Sequence, residues 1–182
     1  MNPRHGKISI CGKRELDQFA TAGVTHILAI EDPEVVKKVP TWFTGIYYRI
    51  QFHDFAEKSA DPNAVLPAKK HVKEILRFGN AAIDPHALQV PHLLVHCAAG
   101  ISRSPTAAFA IIAQALGPGH AIEALNEVRS IRPECFPNPL MVKYADELLG
   151  SKGEMIRALA MPEVETKPLT SEEAYPRSVS GV

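Results

Sequence analysis

Cys97 and Arg103 are separated by five residues, Ala98, Ala99, Gly100, Ile101 and Ser102, and Ser104 follows directly. Those residue types at that spacing suit the capture and attack of a phosphate ester. A cysteine thiolate is a strong nucleophile, and a cation or a helix N-terminus beside it favours that form. An arginine fork binds two phosphate oxygens at once. Short side chains between the two let an oxyanion approach the backbone, whose N–H groups in a tight turn form a concave anion nest. The donors that favour the thiolate also stabilise the charge on a phosphoryl group in transfer. Arg103 and the amides supply the positive potential, so neither a metal nor a cofactor is expected.

On this reading Ala98, Ala99, Gly100, Ile101, Ser102 and Arg103 bind phosphate, and Cys97 attacks it. Ser104 either hydrogen-bonds the sulfur and eases its departure or simply caps the following helix. His96 ends an apolar run and is expected to brace the loop by hydrogen bonding, not to act as a base.

Such a loop needs a strand before it and a helix after it. His92 to His96 reads as a buried strand, and Pro105 to Leu116 is apolar nearly all round, as a central helix would be. Proline in its first turn costs little. Further strands are expected at Ile8 to Ile10, Thr25 to Ile30 and Ile46 to Phe52. Helices are expected at Glu15 to Ala22, Ala68 to Ile83, Ala121 to Ile131, Leu140 to Leu149 and Glu154 to Ala160. Asp32-Pro33 should break a strand and open a helical turn through Lys38, and Asp84-Pro85 should end the long helix. His53 to Pro67 reads as loop. The alternation predicts an α/β fold: a central, mostly parallel sheet of about four to five strands flanked by helices. Residues 1–150 form the expected catalytic domain, with 151–182 a C-terminal tail that is partly helical or disordered.

The chain has 182 residues, 46% apolar and 22% charged, with 20 basic and 20 acidic side chains. That suits one soluble domain. Zero net charge argues against a broad nucleic-acid footprint. No apolar run approaches the length that spans a bilayer, and Met1 to Lys7 leads into too short an apolar stretch for a signal peptide. Three cysteines, Cys11, Cys97 and Cys135, lack framework or zinc spacing. Free thiols and a cytoplasmic location are therefore expected. Oligomeric state is left open, as is a protective disulfide from Cys11 or Cys135 to Cys97.

The run His96-Cys97-Ala98-Ala99-Gly100-Ile101-Ser102-Arg103-Ser104-Pro105-Thr106 resembles the signature of the protein tyrosine phosphatase superfamily, in particular its dual-specificity branch. Arg132-Pro133, Pro137-Asn138 and Gly23 to Leu28 are similar to further stretches of that branch. The likeness spans roughly residues 8 to 149, leaving the tail outside it. It implies a general acid on the loop after the strand that precedes the long helix. Asp54 matches, with Asp61 the fallback and Glu57 behind it. It also implies that Asn138 hydrogen-bonds near the loop, although Asn138 is equally placed to cap a helix starting at Pro139. Trp42, Tyr47 and Tyr48 read as core or rim.

The implied activity is cysteine-dependent hydrolysis of phosphotyrosine, with phosphoserine and phosphothreonine as a wider option, in a protein or peptide substrate through a phosphocysteine intermediate. Alternatives are a phosphatase of a non-protein phosphomonoester such as a phosphoinositide, a non-catalytic phosphate-binding module, and sulfur transfer or arsenate reduction. The absence of lysine from the loop weakens the case for a polyanionic substrate.

Overall fold

In a computed structural model, the described residues are 6–57, 59, 61–84 and 90–161. The expected stop at Pro85 and the tail beyond Met161 lie outside them. Four strands form one sheet: β1 (Lys7–Gly12), β2 (His26–Glu31), β3 (Ile46–Gln51) and β4 (His92–Cys97). Their order is β1-β4-β2-β3, and every pair is parallel. The two central strands are buried on both sides, which is why β4 reads as a nearly continuous apolar run.

One face packs against α1 (Lys69–Ala82) and α2 (Arg103–Leu116), and α3 (Ala121–Ile131), α4 (Pro139–Leu149) and α5 (Glu154–Leu159) pack on those helices and on one another to complete the same core. Ile8, Ile10, Leu28, Ile30, Ile50, Phe52, Leu93 and Val95 point to this side. Alternation sends Cys11, Ile27 and Leu94 to the other face, where they meet Leu16 and Phe43. Met155 and Ala158 of α5 are buried in the main core, so residues 151–161 pack with the domain.

Two expected helices take other forms. Lys13–Phe19 is a 3-10 helix rather than an α-helix over Glu15 to Ala22. Leu16 and Phe19, three residues apart, share the 3-10 repeat and reach the same small core cluster. The helical turn expected from Asp32 to Lys38 is a single turn followed by irregular chain. Side chains of β3 draw its carbonyls away: Arg49 donates to Val35 O, and Gln51 Nε2 donates to Pro33 O at 2.8 Å.

The carboxyl ends of the four strands are Gly12, Glu31, Gln51 and Cys97, all on one edge of the sheet. Open parallel sheets bind ligands outside this edge.

Candidate active site

Cys97 ends β4, and Arg103 begins α2. The loop between them turns tightly because Gly100 adopts φ +78 and lies against β1. A Cβ there would sit 2.6 Å from the Cys11 carbonyl carbon and the Gly12 nitrogen, so only glycine fits. The Cys97 sulfur faces two donors. The Gly100 N–H approaches it at 3.3 Å and the Ser104 hydroxyl at 3.2 Å. Ser104 is fully buried, and its hydroxyl points at sulfur rather than capping α2.

Arg103 is 3% exposed. Its Nη1 donates to Asp32 Oδ1 and to the Phe52 carbonyl, both at 2.7 Å. Its Nε is buried and has no hydrogen-bond partner among the described residues. A buried guanidinium with an unspent donor is costly unless an anion arrives to take it.

Asp54 follows β3 and sits at the mouth of the loop. Its Oδ1 accepts from Ser102 Oγ and from Asn138 Nδ2, each at 2.8 Å, and its Oδ2 lies 3.7 Å from Arg103 Nε. Asp61, in contrast, accepts the Asn63 N–H in a local turn, and no interaction ties it or Glu57 to the cysteine loop among the described residues. The geometry thus favours Asp54.

Asn138 fills both anticipated roles. Its Oδ1 caps α4 through the Leu140 and Met141 N–H groups, while Nδ2 donates to Asp54 and to Phe55 O. Asn138→Ala is therefore expected to cost about 1–2 kcal/mol of stability and about tenfold in kcat/KM. Asn138→Ser retains a capping oxygen without the reach to Asp54. It should recover the melting temperature and leave the rate low, which paired thermal and kinetic measurements would show.

His96 departs from expectation. It is 1% exposed, and neither ring nitrogen makes a hydrogen bond of ordinary geometry with the described residues. It supports the loop by packing, not as the hydrogen-bonded brace anticipated. Burial drives its pKa from 6.5 down to about 4, against opposing pulls from Glu31 and the Cys97 backbone. Below pH 6.5 the unfolded chain takes up a proton that the native chain refuses. Stability is therefore full above that pH and falls as pH drops towards 4, by about 3 kcal/mol for this group. Burial lowers His26, His71 and His92 in the same direction. Denaturant midpoints taken between about pH 7.5 and about pH 4.5 should decline steadily, and a flat profile would contradict this.

No disulfide joins Cys11, Cys97 or Cys135. Cys11 pairs with His96 across the β1–β4 ladder and faces the smaller core cluster, opposite to Cys97. Burial first, and Glu15 second, push its thiol up to about 12.

Comparison with known proteins bears on the family and the fold. No protein-family profile matches the chain. Human dual specificity protein phosphatase 15 is 32% identical over 162 residues, covering 87% of this chain and 49% of the relative. The zebrafish (Danio rerio) dual specificity protein phosphatase 22-B is 29% identical over 160 residues, covering 88% and 78%. A crystal structure of DUSP15 superposes with a TM-score of 0.60 at 27% identity, covering 87% of this chain and 95% of that one. The chain belongs to the dual-specificity branch of the protein tyrosine phosphatase superfamily. It spans about half the length of the human relative.

Within this dual-specificity phosphatase fold, sequence reasoning missed two supports. Asp32, read as a strand breaker and the opening of a helical turn, holds the Arg103 guanidinium from the end of β2. Its place at the carboxyl edge of a parallel sheet was the available signal. Arg132 straps the loop from behind: it grips Glu15 through bonds of 3.0–3.2 Å and donates to Ala99 O at 3.3 Å. Glu15 in turn accepts the Gly12 N–H at 2.6 Å, joining β1, the 3-10 helix and the loop.

Proposed function

We propose that this chain is a cysteine-dependent protein phosphatase acting on phosphotyrosine and on phosphoserine or phosphothreonine. One observation carries the reading: the Cys97 sulfur, with donors at 3.2 and 3.3 Å, shares a nest with a buried arginine that has a donor to spare. A binding module would not need a nucleophile there.

The chemistry runs in two steps. Cys97 thiolate attacks phosphorus in line, the P–O bond to the leaving group breaks, and Asp54 gives its proton to that oxygen. Loop N–H groups and Arg103 hold the remaining phosphoryl oxygens. Water then attacks the phosphocysteine, Asp54 takes its proton, the S–P bond breaks and inorganic phosphate leaves. The Ser104 hydroxyl donates to the departing sulfur.

The side chains between Cys97 and Arg103 carry no cation, which supports a phosphorylated protein over a polyphosphorylated lipid or sugar. Among the described residues no helix is long and apolar enough to cross a membrane, and three cysteines without a disulfide between them suit a reducing compartment such as the cytoplasm. Phosphotyrosyl and phosphothreonyl peptides, phosphoinositides and p-nitrophenyl phosphate, assayed side by side with EDTA present, test the reading. Turnover of the peptides supports it. A phosphoinositide preferred more than about tenfold over every peptide would overturn it.

A further inference from the structure

Phe136 is 77% exposed, yet its backbone is held firmly. Its N–H donates to the carbonyl of Ile101, inside the phosphate loop, at 2.7 Å. On one side, Cys135 N–H bonds to Arg132 O, and Arg132 is strapped to Glu15 and Ala99 O. On the other, Pro137 confines Phe136 to extended backbone, and the Asn138 N–H bonds to Thr106 of α2. A large ring is thus carried on a fixed backbone beside the phosphate loop and left bare. Single exposed apolar residues are ordinary. This one is tied by its backbone N–H to a second, Ile101, which is 39% exposed on the loop itself.

We infer that Phe136 and Ile101 form an apolar shelf that takes a bulky apolar side chain close in sequence to the substrate's phosphoresidue. The inference rests on the protein-phosphatase reading and adds a substrate preference to it. The occupant follows from position, because Phe136 is bonded to the loop that would hold the phosphate, and residues flanking a phosphoresidue come close to that loop. It follows also from chemistry, because a rigid aromatic surface loses little entropy on burial and favours an apolar partner.

The test uses the full chain and phosphotyrosyl peptides that differ only by leucine or serine at each flanking position in turn. At one or more positions the leucine peptide should be preferred by about five- to tenfold in kcat/KM. Phe136→Ala should bring that ratio close to one, Phe136→Leu should keep most of it, and Phe136→Asp should reverse it. No flank preference in the parent would overturn the inference while leaving the phosphatase reading intact. So would a preference that survives in Phe136→Ala, even if overall rates fall. Hydrolysis of p-nitrophenyl phosphate without hydrolysis of any peptide would sink the phosphatase reading and the inference together. A concentration-dependent dimer abolished by Phe136→Asp, with no flank preference in the parent, would assign the shelf to self-association instead.

Discussion

Cys97→Ser is expected to lower kcat/KM by at least about a thousandfold on any phosphomonoester the parent hydrolyses. The change replaces one atom in a nest that stays intact. Gly100 N–H and Ser104 Oγ still point at the substituted atom, and Arg103 is untouched. A serine hydroxyl is not ionised near neutral pH, so the donors that favour a thiolate have no anion to stabilise. Phosphate binding should survive, because it depends on the loop N–H groups and Arg103. Retained binding of a phosphopeptide with lost turnover, measured by calorimetry and steady-state kinetics, would separate chemistry from folding. Turnover near that of the parent would remove Cys97 from the mechanism.

Arg103→Lys is expected to cost about a hundred- to a thousandfold in kcat/KM, although the charge is kept. Arg103 serves two purposes with one planar group. Nη1 is committed to Asp32 and Phe52 O, which leaves Nε and the rest of the fork for phosphate. A lysine ammonium is a single point that cannot satisfy both the internal acceptors and two phosphate oxygens. The fully buried Phe52 backbone would also lose its partner, so destabilisation of about 1–3 kcal/mol should accompany the kinetic loss. A purely electrostatic role would predict near-normal rates for this variant, and finding them would refute the bidentate account.

The site was legible in the sequence where its chemistry is local. Cys97 and Arg103 lie on one turn of chain, and the apolar run of β4 with the buried character of α2 declares the strand and helix that carry them. The mostly parallel sheet was legible in the alternation of strands with helices along the chain. Asp54 was reachable only through its place after β3 and the family likeness, because nothing adjacent to it signals acid chemistry. Asp32 was not reachable by local reading. Asp-Pro is a strong breaker signal, and only the fold brings the end of β2 to Arg103. His96 misled in the opposite sense. Its type suggests a hydrogen-bonded brace, but its strand position buries both ring nitrogens. The 3-10 form of Lys13–Phe19 was hidden because its registering contacts, Lys13 N–H to Ala98 O and Arg132 to Glu15, come from distant chain.

The central claim is that phosphate passes through Cys97. Asp54→Asn should slow both protonation of the leaving group and attack by water on the intermediate. Rapid acid quench of this variant during turnover of p-nitrophenyl phosphate, a good leaving group, followed by peptide fragmentation in a mass spectrometer, reads the claim directly. The account predicts one phosphoryl group on the peptide containing Cys97, localised to its sulfur and missing in the Asp54→Asn, Cys97→Ser double variant. Phosphorylation of a different residue, or sustained turnover of the double variant, would contradict it.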